Sequence, residues 1–239
     1  MRDHLLDLVE HTHDLGVIDL VKITGTTAET QIFAAAEDRS VVVDGRFAGP
    51  VADFVGLFGM PNLNKLKILL NLTEYREGAG LTITHNKDGD PDGITFKNAA
   101  GDFKNNYRFM TSAVVAEKAK TPKFKGATWN VEFEPTVAAV MRLKMQAQAN
   151  AEEVHFQART ENGDLKFVFG DHSTHSGDFV FQAAAGTLKR TWAWPIKTII
   201  NILDLTGDKT MRFSDDGVAQ ITVDSGLAVY NYIILAQTK

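Results

Sequence analysis

Hydrophobic and polar positions along this chain follow two rhythms, one helical and one alternating, and the rhythms occur in the same order twice. Near the start, Leu5, Leu8, Val9, Thr12 and Leu15 recur at helical spacing, which predicts a helix over residues 3–15 closed by Gly16. Its acids and histidines are expected on the opposite, solvated face, with His11 and His13 at the surface. Period-two segments follow at VIDLVKIT (17–24), TQIFAAA (30–36) and SVVVDGRF (40–47), each a predicted strand. The stretch VADFVGLFGM (51–60) lies between Pro50 and Pro61 and predicts a short helix. KLKILLNLTEY (65–75), GLTITH (80–85), GITFK (93–97) and NYRFMTS (106–112) predict further strands joined by Gly- and Asp-rich turns.

Residues 112–126 interrupt the rhythm with Lys118, Lys120, Lys123 and Lys125, a proline and a closing glycine, and form the best connector. The succession then restarts. ATWNVEFE (127–134) reads as a strand, and Pro135 opens a long helix whose apolar stripe uses Val137, Val140 and Met141, with Met145 or the Lys144 stem, flanked by Arg142. EVHFQART, DLKFVFG, DFVFQAAA and LKRTWAW read as strands, Pro195 opens a second helix (195–205), and KTMRFS, VAQITV and LAVYNYIILAQ close the chain. The expected organisation is therefore a domain over 1–111, a connector over 112–126 and a second, similar domain over 127–239. The class is α+β: mostly antiparallel sheet with two helices on one face of each domain. A doubly wound fold is excluded because helices do not alternate with strands.

Composition narrows the function. The 239 residues are 44% hydrophobic, with no cysteine, so neither disulfides nor thiolate chemistry are available. A reducing cytoplasm fits, and no stretch reads as a secretion signal or a membrane span. The net charge of −5 argues against a surface that grips nucleic acid everywhere, while leaving room for one basic face. Asp88, Asp90, Asp92 and Gly93 copy the start of a calcium loop, but Ala99 stands where the bidentate acid belongs, so a hairpin turn is expected. His172 and His175 lack a converging metal-ligand spacing, and Gly56 and Gly59 lack the Lys-Ser/Thr of a phosphate loop, so close packing explains them better. Trp192 and Trp194 alternate at strand period and read as packing residues. No catalytic set assembles, and no cofactor is expected.

The early helix followed by VIDLVKITG, the segment VADFVGLFGM, and the C-terminal pair RFSDDGVAQITV and GLAVYNYIILAQ together resemble the DNA polymerase sliding clamps. That family includes proliferating cell nuclear antigen, and the phage type looks closest. The resemblance covers essentially the whole chain and implies a homotrimer: six domains around a hole, sheets outside and helices lining duplex DNA. It implies DNA polymerase and a clamp loader as partners, a cytoplasmic setting in a bacterial host, and no enzymatic activity. By position it implies an inner wall carrying Arg142, Lys144, Lys197 and Arg2, with basic charge concentrated on the second domain. It also implies a partner-peptide pocket from Val43, Phe47, Val218, Ile234, Leu235 and Ala236, rimmed by residues 237–239. The family opens with a strand before its first helix, whereas only two residues precede Asp3 here. The competing readings are a monomeric clamp-like tether, which needs a distinctly basic face, and a β-rich viral assembly protein.

Overall fold

A computed structural model describes residues 1–120, 126–171, 173 and 175–237. The connector lysines Lys123 and Lys125, His172, Thr238 and Lys239 lie outside the described residues. The chain divides into two compact units. Unit 1 comprises Met1–Lys123 and Asp224–Tyr230, and unit 2 comprises Phe124–Val223 and Asn231–Lys239.

Unit 1 begins with α1 (Arg2–Glu10), followed by a single 3-10 turn, His13–Leu15. Gly16 ends it in the left-handed conformation at φ 79°, where a residue without Cβ carries no steric penalty. Leu5, Leu8, Val9, Thr12 and Leu15 are all buried, as the periodicity predicts. His11 is not at the surface: it is 1% exposed, and Asp7 on the same helix is also buried. The reason is a partner distant in sequence. The Tyr230 hydroxyl donates to Asp7 Oδ2 at 2.6 Å, and its ring stacks on His11 with centroids 4.6 Å apart. A local hydropathy pattern does not reveal a polar pair that is satisfied by a residue so far along the chain.

Three strands follow, β1 (Leu20–Gly25), β2 (Thr30–Ala35) and β3 (Val41–Phe47), close to their expected places. The next two expectations are exchanged. Residues 51–60 form a 3-10 turn, Ala52–Phe54, and then β4 (Gly56–Pro61), which pairs antiparallel with β1 from Leu20↔Pro61 to Gly25↔Gly56. This strand is covered on both faces at Phe58, Gly59 and Met60, so its residues form an apolar run without alternation, a pattern shared with a buried helix. Conversely, residues within 65–75 form α2 (Leu63–Asn71) and a 3-10 turn. Leu63, Leu66, Leu69 and Leu70 make its buried stripe, and the Asn62 side chain caps its start by accepting from Lys65 N. Asp19 Oδ1 accepts from Leu63 N at 3.0 Å, a second satisfied donor in that first turn.

The remaining strands of unit 1 are β5 (Gly80–His85), β6 (Pro91–Lys97) and β7 (Lys104–Arg108). The Asp88–Asp92 segment is the β5–β6 hairpin: Asn86 Oδ1 accepts from the backbone N–H groups of Asp88 and Asp90. Within the expected connector, α3 (Ser112–Lys118) is helical and seats its buried Val115 on β4. A Cβ at Gly59 would stand 2.7 Å from Val115 Cγ2, so the helix approaches only because that residue is glycine.

Unit 2 contains β8 (Val131–Phe133), α4 (Val137–Ala149), β9 (His155–Glu161), β10 (Asp164–Gly170), β11 (Ser176–Gln182) and β12 (Trp192–Pro195). It continues with α5 (Ile196–Leu203), β13 (Asp208–Phe213), β14 (Val218–Asp224) and β15 (Ala228–Leu235), the last beginning in unit 1. The repeat is topological as well as sequential. Strand order β4-β1-β2-β3 in unit 1 is reproduced as β12-β9-β10-β11 in unit 2. The succession α2, β5, β6, β7 is reproduced as α5, β13, β14, β15. Each unit has an aromatic core: Phe47, Phe54, Phe58 and Phe109 in contact in unit 1, and Phe156, Phe167, Phe181 and Phe213 with Trp194 in unit 2. Trp194 is thus a core residue, and Trp192 donates from Nε1 to Asp215 O.

Candidate DNA-facing helices and partner cleft

The long helix α4 starts where Thr136 accepts a hydrogen bond from Ala139 N. It packs through Ala139 and Leu143, both buried. Three residues of the stripe expected to be its core contact point the other way, with Val137 82%, Met141 48% and Met145 61% exposed, while Val140 is half-buried. Ala139 and Leu143 occupy the same period four as that stripe, two residues out of phase, and close packing against β11 favours the set that includes alanine. Arg142 and Lys144 therefore flank an apolar ridge. The Arg142 guanidinium lies 5.2 Å from the Phe179 ring centroid and donates to Val180 O at 3.3 Å. Lys144 is ion-paired with Asp204, just past the end of α5. Lys197 is on the exposed face of α5, opposite Ile196, Ile199, Ile202 and Leu203.

Arg2 is occupied by a structural task. Its guanidinium donates to Tyr75 O at 2.8 Å and to Leu70 O, satisfying a carbonyl in the last turn of α2. Unit 1 nevertheless has basic groups that the sequence reading misses, because the pattern over 65–75 predicts a strand. Lys65 is exposed on α2, and Lys67 on the same helix pairs with Asp14 at 2.7 Å. The leucine spacing 63, 66, 70 is the available signal. Lys209, at the start of β13, has its pKa lowered by burial, partly offset by Asp204 and Asp208.

Val43 and Phe47 are core residues of unit 1: both are buried, and Phe47 contacts the His4 ring edge-on at 5.1 Å. The opposite face of the same sheet carries a cleft of about 530 Å³. Val17, Leu20, Phe33 and Ala36 line it, with Glu37, Glu117, Ala119, Lys118 and Lys120 around them. It lies beside the end of α3, where Lys22 Nζ donates to Ala119 O at 2.8 Å and stands 4.7 Å from the centre of the Phe33 ring. Burial lowers the Lys22 pKa. Cross-strand pairing of Phe33 with Asp44 puts the cleft face on even positions of β3, which is why Val43 and Phe47 do not reach it. In unit 2, Ile234 is fully buried, Val218 and Ala236 are half-buried, and Leu235 is 51% exposed. Ala236 N donates to Gly217 O at 2.9 Å. Gln237 is exposed, and its N–H bonds to Ala193 O. Among the described residues no cluster of three or more His, Cys, Asp or Glu could hold a metal ion, and no helix is long and apolar enough to cross a membrane.

No family model matches the sequence, and no curated protein matches it either. Solved structures do match. PCNA from Thermococcus kodakaraensis is 14% identical, with a TM-score of 0.66 over 99% of this chain and 97% of that one. The PCNA2–PCNA3 complex from Sulfolobus tokodaii gives 11% identity and a TM-score of 0.68 over 98% and 96%. A. fulgidus PCNA bound to the C-terminal region of FEN-1 gives 10% identity and a TM-score of 0.69 over 98% and 96%. The chain has the PCNA sliding-clamp fold: two α+β units of antiparallel sheet, as the resemblance in sequence order implies.

Proposed function

We propose that this protein is a DNA polymerase sliding clamp, a trimeric ring that encircles duplex DNA and tethers the polymerase during viral replication. The observation that carries this reading is a mismatch between equivalent strand edges. Within unit 1, β3 is followed by contact with the Asp224–Tyr230 segment: Ala48 N donates to Leu227 O at 2.8 Å, and Gly45 faces Val229 O and the Tyr230 ring. The repeat counterpart of β3 is β11, and that of β15 is β7. Among the described residues each of these two ends its sheet with one partner, β10 and β6 respectively. A second copy placed head to tail joins β11 of one molecule to β7 of the next, reproducing the intrachain arrangement. Repeating that operation closes a ring of six units from three chains. Side-chain charge favours the pairing, since β7 has Lys104 and Arg108 and β11 has Asp178.

Such a ring makes and breaks no bonds. It keeps the polymerase near the primer end by raising its effective concentration. Lys197, Lys65, Arg142 and Lys144 supply non-specific attraction to phosphates, and the net acidity of the chain discourages binding from outside. A clamp loader opens the ring, and the phage setting follows the likeness in order and spacing to phage-type clamps. Partner peptides place an apolar anchor in the unit 1 cleft at Leu20, Phe33 and Ala36, where Lys118 and Lys120 meet acidic flanks. Light scattering after gel filtration tests the assembly: the ring weighs about 79 kDa, three times 26.3 kDa. A stable 26.3 kDa monomer at micromolar concentration supports a monomeric tether instead and ends the ring proposal.

A further inference from the structure

In unit 2, β8 covers the outer edge of β13 in antiparallel register, with Met211↔Phe133, Arg212↔Glu132 and Phe213↔Val131. In unit 1 the counterpart of β13 is β5, and among the described residues β5 pairs only with β6. Among the described residues no backbone hydrogen bond reaches its other side. The two hairpins align through their closing bonds, Ser214 N to Val218 O and Asn86 N to Asp90 O. Met211, Arg212 and Phe213 therefore correspond to Ile83, Thr84 and His85.

The burial difference has the sign that a vacant edge requires. Met211 and Phe213, beneath β8, are fully buried, whereas Ile83 retains some exposure and His85 is exposed. Leu81 stays half-exposed although its cross-strand partner Phe96 is fully buried. β5 thus offers unpaired backbone groups and incompletely covered apolar side chains along one edge, the combination that accepts an added strand.

We propose that the β5 edge is a docking slot for an extended segment of a partner protein. The segment adds antiparallel to β5 as β8 adds to β13, with apolar residues at alternate positions facing Ile83 and Leu81. β8 itself shows the fitting pattern, Val131-Glu132-Phe133, with Glu132 paired to Arg212 at 2.9 Å on the solvent face. The middle residue must differ in charge at the unit 1 slot. Thr84, in place of Arg212, donates its hydroxyl to Asp92, and the Asp92 carboxylate lies 3.1 Å from Arg108. A cationic middle residue meets the carboxylate there, whereas an acidic one opposes it. In its sheet β5 is the edge opposite β7, the edge proposed above for ring closure.

The test is backbone amide hydrogen exchange of the whole protein with synthetic peptides of residues 128–136, carrying Glu132, Glu132→Lys or Glu132→Pro. Without peptide, amides of 80–85 exchange faster than those of β13. At millimolar concentration the Lys peptide slows exchange in 80–85 about fivefold, consistent with weak strand addition. It binds about threefold tighter than the Glu peptide, as one partly exposed ion pair allows, and the Pro peptide gives no protection. Exchange in β5 as slow as in β13 without peptide, no protection by the Lys peptide, or equal protection by the Pro peptide each overturns the proposal. The reading at β5 is the same whether the protein is trimeric or monomeric, so a failed ring and a failed slot are told apart.

Discussion

Replacing Tyr230 by phenylalanine isolates one buried hydrogen bond that holds the Asp224–Tyr230 segment to α1. The tyrosine is fully buried, its hydroxyl donates to Asp7 Oδ2 at 2.6 Å, and its ring stacks on His11 at an interplanar angle of 5°. Phenylalanine keeps the ring and the stacking and leaves no cavity beyond one oxygen. Asp7, also buried, loses a donor that no water easily replaces. Leaving a buried acceptor without its donor costs about 1–3 kcal/mol, so ~2 kcal/mol is the expected loss. With a urea slope of about 2–3 kcal/mol/M, the unfolding midpoint falls by roughly 0.7–1 M at unchanged slope. A double-mutant cycle with Asp7→Ala then gives a coupling of at least ~1 kcal/mol. A midpoint shift below about 0.2 M, or additivity in the cycle, refutes the view that this pair fastens the segment.

The Tyr107 phenol donates to Pro61 O, and its pKa is raised by burial and then by the Asp19 charge. The unfolded chain loses this proton above 10.0 while the folded one keeps it, so stability is intact below that pH and declines above it. Alkaline unfolding should be steep in the native protein and shallower in Tyr107→Phe, followed by circular dichroism. Arg142→Glu with Lys65→Glu should leave the solution mass unchanged and weaken DNA retention. For every phosphate that is no longer neutralised, the log–log salt slope becomes shallower by about 0.9. Ala35→Arg, at a half-buried position of the cleft lining beside α3, should weaken partner-peptide binding at least about tenfold with little change in the melting temperature. Unchanged affinity moves the peptide site elsewhere.

The strands of both units and the helices α1, α4 and α5 are legible because each has one solvated face and therefore a period. The segment 51–75 is not, because β4 is covered on both sides and reads as an uninterrupted apolar run. That single exchange hides α2 and, with it, Lys65 and Lys67, and makes the basic charge look confined to the second half. On α4 the pattern offers two apolar stripes, and the exposed one, Val137, Met141 and Met145, holds the larger side chains. Choosing between them requires the spacing to β11, which is tertiary information. The cleft is illegible for a related reason: its lining comes from β1, β2 and the end of α3, and Val43 and Phe47 differ from it by one step of strand register. His11 and Asp7 look solvated in sequence because their partner Tyr230 enters from the far end of the chain.

The central claim is encirclement, and a linear duplex tests it without a loader. Protein is allowed to thread from free ends, the ends are then blocked by bulky groups, and the complex is washed in salt high enough to abolish charge-driven binding. A ring stays on the blocked duplex and leaves once one end is reopened. Equal loss from blocked and open duplexes, or equal retention on both, would contradict a clamp held by topology.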